Sequence, residues 1–345
     1  MIHVGIVGDG YTAAELLRLI ASHPELEVVY ISSHHNIGRR VDAVFPQLSG
    51  FYDLVFEPTD VEKIKASCDA VFLALPHGAS VPLVQKLAAV GVRCVDMGAD
   101  FRLKNPAVYE KYYGLVHSAP HMLADAVYGL PELYREQIQK AVFVANPGCY
   151  PTASILPLAP LLKNHLIESS QIIIDAKSGA TGAGRNAKEA NLYCEVNDSF
   201  KAYGVGTHRH MPEIAQELSL AAGLPVDMIF TPHLVPMSRG ILATIYAMRT
   251  PQAAPGDIRN ALEQAYAQEP FVQVLADGVF PQTKWVYGSN QVQIGVWTDP
   301  GSRRVVLVSA VDNLTKGASG QALQNLNLML GIEETTALSM PGLMP

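Results

Sequence analysis

The sequence predicts an α/β protein in which a parallel-sheet domain is followed by an α+β domain. Before Cys149, continuous apolar runs alternate with helical patterns, as in a parallel sheet that is buried on both faces. After Cys149, strand-like segments follow one another with few helices between them, which is typical of an antiparallel or mixed sheet. The length of 345 residues also favours two domains.

The individual elements follow from these patterns. HVGIVG is the first strand, and the apolar positions of AELLRLI form one face of a helix that ends at His23. The later strands of the first domain are LEVVYIS, DAVFLALP, VRCVDMG and AVFVA, and SVPLVQKLAAVG is a helix closed by Gly91. In the second domain the strands are QIIIDAKSG, MIFTPHLVP, GILATIYAMRT, FVQVLA, QVQIGVWTD and RVVLVSAVDN. The helix KGASGQALQNLNLML is expected to pack on the first domain, so the predicted boundaries are 1–148 plus about 316–345 for that domain and 149–315 for the other.

Composition and charge exclude several classes of protein. The net charge of −7 and the scattered Lys and Arg residues argue against a nucleic-acid partner. No apolar run reaches the length of a membrane span, and the chain opens on a strand without a signal-peptide pattern. The four cysteines form neither a disulfide framework nor a zinc motif, so we expect a reduced cytoplasmic enzyme.

A glycine-rich loop follows the first strand. GDGYTAAE contains the spacing G-x-G-x-x-A at Gly8, Gly10 and Ala13, with Tyr11 and Thr12 between them. Residues without bulky side chains let a pyrophosphate approach the N–H groups at the helix N-terminus, so a Rossmann-type dinucleotide site is predicted here. The alternative is a tight turn that serves only packing.

The loop after the second strand indicates which dinucleotide is bound. It carries Ser32, Ser33, Arg39 and Arg40, with no carboxylate until Asp42. Hydroxyl and guanidinium groups suit a 2′-phosphate, whereas NAD sites usually place an acidic residue here, so NADP(H) is the expected cofactor. The alternative is a solvated basic loop.

Cys149 lies between the AVFVA strand and a new helix. We expect it at the N-cap, with Pro151 near the first helical position, where the helix dipole favours the thiolate. The carboxyl end of a parallel strand is also where open α/β sheets bind ligands. Cys68 and Cys94 are expected to be buried structural residues, a role that remains the alternative for Cys149, and Cys194 is left unassigned.

A thiolate nucleophile needs a proton shuttle, and GVGTHRHMPEI supplies His208 and His210. If this segment is extended, both side chains point to one face. A metal site is the alternative, but no suitable third ligand is nearby in sequence, so no metal is predicted. A second glycine-rich loop, AKSGATGAGR, is either a phosphate or nicotinamide contact or a flexible hairpin.

Taken together, NPGCYPT, SGATGAGR, HRHMPEI, FTPHLVPMSRGI, GADFRL and DNLTKGA resemble the N-acetyl-gamma-glutamyl-phosphate reductase family, relatives of aspartate-semialdehyde dehydrogenase. The resemblance covers nearly the whole chain. One departure is the first glycine loop, which is one residue shorter than the family's usual GASGYTGAE and has Ala13 in place of glycine. Because of this difference, the backbone contacts to the pyrophosphate need not match those of the family, and the affinity for the cofactor is the property it would change.

The resemblance implies a reductive dephosphorylation. The Cys149 thiolate attacks an acyl phosphate, phosphate leaves, and NADPH reduces the thioester to N-acetylglutamate semialdehyde. His210 is the first choice for acid/base catalysis and His208 for orienting the substrate, although the two roles can be exchanged. Backbone N–H groups at the start of the Cys149 helix are expected to stabilise the oxyanion.

The resemblance also suggests binding residues. The substrate candidates are Arg102, Asn146, Tyr203 and Arg239, since arginine binds carboxylates and phosphates bidentately; an ordinary ion pair is the alternative for each arginine. The further cofactor candidates are Pro76, Gly78, Ser80, Ser178, Gly179, Gly182 and Asn313.

Three alternative functions remain open from the sequence. The nearest is the same chemistry on an aspartyl or aminoadipyl phosphate. The second is a Cys-His acyltransferase or hydrolase that does not use a hydride, and the third is a non-catalytic NADP-binding protein with an inert Cys149. The family resemblance further implies a homo-oligomer, either a dimer or a tetramer, with a small-molecule acyl phosphate and inorganic phosphate as its other partners.

Overall fold

The computed structural model describes residues 1–344, and the chain divides into two compact units. The first unit contains Met1–Pro147 and Ala318–Ser339. The second contains Gly148–Gly317 and the residues from Met340 onward. The predicted α/β class is confirmed, since the first unit has a parallel sheet and the second a mixed sheet.

Within residues 1–344, the sheet of the first unit has six strands in the order β2-β1-β3-β4-β6-β5, with every neighbouring pair parallel. The strands are β1 (Ile2–Val7), β2 (Leu26–Ser32), β3 (Ala70–Leu73), β4 (Arg93–Asp96), β5 (Val127–Tyr128) and β6 (Phe143–Ala145). All of β3 and the last four residues of β1 are buried, as their continuous apolar sequences predict. The sequence did not predict β5, because a two-residue strand has no periodicity to detect.

Helices cover this sheet. In the first part of the chain they are α1 (Tyr11–Ile20), α2 (Val41–Val44), α3 (Val61–Ser67), α4 (Val81–Ala89), α5 (Pro106–Tyr113) and α6 (Pro131–Lys140). A late helix, which we number α12 (Gly320–Leu330), belongs to the same unit and packs against α1, α6 and β4. Its buried Asn325 donates to the carbonyl of Gly129 and to Oδ1 of Asn146, which satisfies these polar groups inside the core.

The order of the strands reverses at β1, which lies between β2 and β3. In open α/β sheets the loops at such a switch point flank the ligand crevice. The loop after β1 begins at Gly8, which has φ +132°, and a Cβ there would lie 2.3 Å from the carbonyl oxygen of Ala74. Only glycine allows these two loops to approach each other so closely.

Two buried carboxyl groups hold the loop after β3. The hydroxyl of Ser80 lies 2.9 Å from Oδ2 of Asp96 and 2.7 Å from Oδ2 of Asp100. Asp100 also accepts hydrogen bonds from the N–H of Gly78 and the hydroxyl of Tyr109. Because a serine hydroxyl has one hydrogen, it bonds well to both carboxyls only when one of them is protonated. Burial, reinforced by the charge of Asp100, raises the pKa of Asp96 to about 7, so Asp96 is the group that holds the proton.

This assignment predicts opposite results for two similar variants. We expect Asp96→Asn to change the free energy of unfolding at pH 7 by less than about 1 kcal/mol, because the amide donates to Ser80 as the protonated acid does. We expect Asp100→Asn to cost about 2–4 kcal/mol, because its N–H groups face hydrogen-bond donors. Urea unfolding measures both, and equal costs would contradict the assignment.

The pH dependence of the free energy of unfolding is a second test of the proton on Asp96. The folded pKa of Asp96 is raised to about 7, so between about pH 4 and pH 7 the folded protein binds more protons than the unfolded chain. The contribution of Asp96 to stability therefore decreases as pH rises through that window. We expect Asp96→Asn to remove this slope, and an unchanged slope would assign it to other groups.

Within the described residues, the sheet of the second unit has seven strands in the order β11-β12-β13-β10-β7-β9-β8. They are β7 (Ile172–Ser178), β8 (Lys201–Ala202), β9 (Met228–Leu234), β10 (Ile241–Met248), β11 (Val272–Val274), β12 (Val292–Thr298) and β13 (Arg304–Val311). The pairs β7–β9 and β11–β12 are parallel and the others antiparallel, so of the two predicted forms the mixed sheet is found.

The helices of the second unit are α7 (Cys149–Lys163), α8 (Tyr193–Val196), α9 (His210–Ala222), α10 (Pro255–Tyr266) and α11 (Thr283–Val286). Helix α7 is buried along nearly its whole length and packs on β10 and β13, with α9 and α10 beside it. In β7 the residues alternate, with Ile172, Ile174 and Ala176 buried and Ile173 on the opposite, more open face. None of the helices in residues 1–344 is long and apolar enough to cross a membrane.

Candidate active site

Cys149 is the first residue of α7, and Gly148 precedes it as the N-cap, without a capping side chain. The prediction that the cysteine itself is the N-cap was therefore wrong by one residue, because the extended backbone that precedes the helix ends at Gly148. Cys149 is partly exposed, whereas Cys68 and Cys94 are buried as predicted, and Cys194 is exposed. A partly exposed thiol in the first turn of a long helix is placed to react as a thiolate.

Two residues that the sequence did not single out shape the surroundings of this thiol. The N–H of Gly148 donates to Oε1 of Glu213 at 2.9 Å, and Glu213 is itself buried. A Cβ on Gly317 would lie 2.9 Å from the Cβ of Cys149, so only glycine fits there without displacing the cysteine. Both residues lie more than 60 positions from the thiol in sequence, and no local pattern relates them to it.

The two predicted histidines lie together. His208 is in the turn before α9, His210 is the first residue of α9, and their ring centroids are 5.0 Å apart. The segment is not extended as the prediction assumed, because it turns directly into the helix. The backbone N–H of His210 donates to Nδ1 of His208 at 3.1 Å, which leaves the His208 proton on Nε2. Burial, with a smaller effect from the charge of Arg209, lowers the pKa of His208 to about 4, so this ring is neutral near pH 7.

A pair of tyrosines borders the histidines. The hydroxyls of Tyr150 and Tyr203 are 2.9 Å apart, and both rings contact His208, with centroid distances of 5.5 and 5.4 Å. Burial raises the pKa of Tyr203 to about 12 and that of Tyr150 further, so both are neutral hydrogen-bonding groups. Tyr203 is one of the predicted substrate residues. Tyr150 was missed, although its position next to Cys149 was the available signal.

Arg239 forms a bidentate pair with the buried Asp312. Its Nε lies 3.0 Å from Oδ2 and its Nη2 3.0 Å from Oδ1 of that carboxylate, and Nη2 also donates to the hydroxyl of Thr315. This arrangement is the ion-pair alternative that the sequence left open for Arg239. A substrate contact from the same guanidinium stays a prediction.

The second glycine-rich loop is held by Asn313. The side chain of Asn313 donates to the hydroxyl of Thr181 and accepts from the N–H of Gly240. A Cβ on Gly179 would lie 2.7 Å from the carbonyl oxygen of Ser238, and one on Gly182 3.3 Å from the hydroxyl of Ser178. The predicted cofactor residues Ser178, Gly179, Gly182 and Asn313 are thus brought together, and the structure gives each of them a role in shaping this loop.

In the first unit, the N-terminus of α1 is suited to bind an anion. Gly10 is the N-cap, no side chain caps the helix, and its first turn has no acidic residue. A Cβ on Gly10 would meet nothing within 4 Å, so there is open space beside the N–H groups of Tyr11, Thr12 and Ala13. The side chain of Ala13 is buried and that of Tyr11 is exposed. These residues fit the pyrophosphate of a dinucleotide.

The residues predicted to bind a 2′-phosphate already have partners. Ser32 is buried against the hydroxyl of Thr59, and Ser33 donates to Oδ2 of Asp9. The exposed Arg40 pairs with Asp42 and Asp53. Arg39 donates to Oδ1 of Asn36 and to the carbonyl of Ala43.

The residues of the loop after β3 differ in their exposure to solvent. Pro76 and Gly78 are exposed, and Gly78 has φ +85°. Ser80 is buried, and its hydroxyl bonds to Asp96 and Asp100. The structure therefore assigns Ser80 to the support of this loop and leaves Pro76 and Gly78 as the accessible candidates.

Two further substrate candidates lie in the first unit and are buried. Arg102 donates through Nη2 to the carbonyl of Met97 at 2.8 Å. Asn146 donates to the carbonyl of Ala318 and accepts from Nδ2 of Asn325. The amide of Asn146 holds α12 in place, so substrate contact is not needed to explain it. Within residues 1–344, no three His, Cys, Asp or Glu side chains are grouped as metal ligands.

Comparison with known proteins identifies the family. The family model described as semialdehyde dehydrogenase, NAD binding domain, matches residues 3–141, and the one described as semialdehyde dehydrogenase, dimerisation domain, matches residues 149–313. The N-acetyl-gamma-glutamyl-phosphate reductase of Heliobacterium modesticaldum is 52% identical and that of Geobacter metallireducens 53% identical, each comparison covering 100% of both chains.

Solved structures share the fold at low sequence identity. Aspartate semialdehyde dehydrogenase II from Vibrio cholerae is 17% identical with a TM-score of 0.72, over 96% of this chain and 99% of that one. Aspartate semialdehyde dehydrogenase with NADP from Candida albicans is 16% identical with a TM-score of 0.70, over 96% and 98% of the two chains. On the full-length identity to its relatives, the chain belongs to the N-acetyl-gamma-glutamyl-phosphate reductase family.

Proposed function

We propose that this enzyme reduces N-acetyl-gamma-glutamyl phosphate to N-acetylglutamate semialdehyde, with release of phosphate, through a thioester on Cys149. The observation that carries the proposal is the partly exposed thiol in the first turn of α7, in the same unit as the neighbouring rings of His208 and His210. Full-length relatives at about half identity are named for this activity, a step of arginine biosynthesis.

The first half-reaction is acyl transfer. The Cys149 thiolate bonds to the acyl carbon, the bond to the phosphate oxygen breaks, and inorganic phosphate leaves with the electron pair. The N–H groups at the start of α7 stabilise the negative oxygen of the tetrahedral intermediate. Glu213 supports this step by holding the backbone N–H that precedes the thiol, and Gly317 leaves room for the side chain of Cys149.

The second half-reaction is reduction. The residues around Gly10 would hold NADPH, which would supply the hydride that reduces the thioester carbonyl to a thiohemiacetal. His210 gives a proton to the oxygen that becomes negative and then accepts the hydroxyl proton as the carbon–sulfur bond breaks and the aldehyde is released.

The two histidines have different roles in this proposal. His208 is neutral, its Nδ1 accepts from the backbone, and its Nε2–H is a fixed donor toward the substrate. His210 is therefore the group assigned to proton transfer. The hydroxyls of Tyr150 and Tyr203, which are hydrogen-bonded to each other, add neutral polar groups beside the two rings.

The test of substrate and chemistry runs the reaction backwards, because the acyl phosphate is unstable. Protein, NADP⁺ and phosphate are mixed with N-acetylglutamate semialdehyde or aspartate semialdehyde, and NADPH absorbance is followed. Phosphate-dependent NADPH formation with the acetylated aldehyde alone is expected. Turnover of the aspartyl compound would contradict the assigned substrate, and no turnover of either would favour the acyltransferase or the non-catalytic alternative.

One face of the second unit's sheet is suited to bind a second copy of the chain. Five side chains form a continuous row across five strands, as the pairing shows: Ile229, Ile173, Tyr246, Val306 and Trp297. Of these, Ile229 is 59% exposed, and Ile173, Tyr246 and Trp297 are 41–45% exposed. The matching family model is described as a dimerisation domain. We propose that this face forms the interface of a homodimer, and that a tetramer would consist of two such dimers.

Charges placed in this row are expected to separate the subunits. In a dimer formed through this face, the double variant Ile173→Glu and Tyr246→Glu would bury negative charges against the same charges of the partner subunit. Their desolvation and repulsion strongly oppose association. Light scattering after size exclusion should show a mass near that of one chain. Leu220→Glu, on an exposed position of α9, is the matched control and should keep the native mass. A native mass for the double variant, or a monomeric unmodified protein, would contradict the proposed interface.

We also propose that the enzyme works in the reducing cytoplasm. None of its four cysteines forms a disulfide, and the proposed chemistry requires Cys149 as a thiol.

A further inference from the structure

A carboxylate lies in the glycine-rich loop itself. Asp9 stands between Gly8 and Gly10, at the start of the loop that leads into α1. Its Oδ2 accepts hydrogen bonds from the hydroxyl of Ser33 at 2.5 Å and from Nδ2 of Asn36 at 2.6 Å. Asp9 is thus bound to the loop after β2, 24 and 27 residues further along the chain.

The sheet register explains why these groups meet. Val7 pairs with Ser32, and the N–H of Gly8 donates to the carbonyl of Ser32 at 2.9 Å. The two strands therefore end side by side, and Asp9 and Ser33 leave the sheet at the same edge. The hydroxyl of Ser33 in turn accepts from the N–H groups of His35 and Asn36, so the loop is folded around the Asp9 carboxylate.

This edge is where Rossmann-type domains distinguish their cofactors. An acidic side chain at the end of the second strand accepts a hydrogen bond from the ribose 2′-hydroxyl of NADH, whereas a cation there binds the 2′-phosphate of NADPH. In this chain the end of β2 provides hydroxyls and arginines, but the carboxylate is supplied from the other side, by the loop after β1.

We propose that Asp9 limits the preference of this enzyme for NADPH over NADH. Its negative charge lies within hydrogen-bond distance of the donors that a 2′-phosphate would use, and Ser33 already gives its one hydroxyl hydrogen to Asp9. The same carboxylate is an acceptor for a 2′-hydroxyl. The inference rests on the proposed function and identifies the residue that sets its cofactor selectivity.

The positive groups of the loop compensate only in part. Arg39 donates to Asn36, which bonds to Asp9, so this guanidinium is drawn into the same network. Arg40 faces the carboxylates of Asp42 and Asp53. Binding of a 2′-phosphate must therefore compete with existing ion pairs and hydrogen bonds, whereas binding of a 2′-hydroxyl need not.

The test measures binding without turnover. The fluorescence of NADPH and NADH is titrated with the unmodified protein, with Asp9→Asn and with Asp9→Ser. We expect the unmodified protein to bind both cofactors with dissociation constants within about tenfold of each other. Both variants should bind NADPH at least about tenfold more tightly, because a like charge is removed, and NADH more weakly. Glu62→Gln removes an exposed charge on α3 of the same unit and should leave both constants unchanged.

Fragments of the cofactor separate the charge effect from loosening of the loop. Calorimetry with 2′,5′-ADP and with 5′-AMP should show that the variants bind the first compound more tightly and the second, which keeps the 2′-hydroxyl, more weakly, whereas loosening of the loop would weaken the binding of both. The gain should diminish at high salt, since it is electrostatic. An unchanged ratio of NADPH to NADH affinity would overturn the role of Asp9 and leave the proposed function standing. Failure of the unmodified protein to bind either cofactor would overturn the proposed function as well.

Discussion

Replacing Cys149 with alanine or serine is expected to lower kcat by at least about 10⁴-fold, the range measured for loss of a catalytic nucleophile. Serine is nearly isosteric with cysteine and also suits a helix N-terminus, so it keeps the close contact with Gly317. Its hydroxyl is nevertheless a far weaker nucleophile at neutral pH than a thiolate stabilised by a helix N-terminus. Steady-state assays in the direction of NADPH formation measure the loss.

Binding and labelling controls separate chemistry from folding. Both variants should keep the NADPH dissociation constant of the unmodified protein within about twofold, because Cys149 is not among the cofactor candidates and neither substitution enlarges its side chain. Cys194→Ser removes the exposed thiol and should leave kcat unchanged. In this background, alkylation at the surface reports on the partly exposed Cys149 alone. A Cys149→Ser variant that loses cofactor binding or unfolds would make Cys149 a structural residue. Full activity in the variant would exclude the thioester altogether.

Replacing His210 with asparagine is expected to lower kcat by about 10²–10⁴-fold, since it removes the proposed proton shuttle. The same change at His208 should be milder. Asparagine places an oxygen near the position of Nδ1, which can still accept from the N–H of residue 210, and removes only the Nε2–H donor. We expect His208→Asn to raise KM by about tenfold and to lower kcat by less than that.

The pH profile distinguishes the two histidines further. The pKa of His208 is about 4 in the folded protein, so it does not change charge between pH 5 and pH 9. His208→Asn should therefore leave the shape of the kcat/KM profile between pH 5 and pH 9 unchanged. A profile that changes shape in this variant would give the proton-transfer role to His208 instead.

The fold was predictable where burial imposes a pattern. The apolar runs of β1 and β3 and the period of α1 follow from elements that are buried on known faces. The two-residue strand β5 carries no such pattern. The sequence did not predict the long helices α9 (His210–Ala222) and α10 (Pro255–Tyr266), because they lie between strands with strong β patterns.

The site was predictable only in part. Cys149, His208 and His210 belong to short motifs whose chemistry is local. The polar residues that follow strands are harder, because sequence does not distinguish a side chain that faces a ligand from one that holds a loop; Ser80 and Asn146 hold loops or helices in the structure. The bonds of Asp9 to Ser33 and Asn36 depend on strand order and register, which local patterns do not encode.

The most direct test of the thioester is a single-turnover experiment without phosphate. Enzyme, NADP⁺ and N-acetylglutamate semialdehyde are mixed rapidly, NADPH absorbance is followed, and the protein is then analysed by intact mass and peptide mapping. We expect a burst of one NADPH per active site, an acyl group on Cys149, and resumed turnover when phosphate is added. Turnover without an acylated Cys149, or acylation of a different residue, would contradict the proposed thioester.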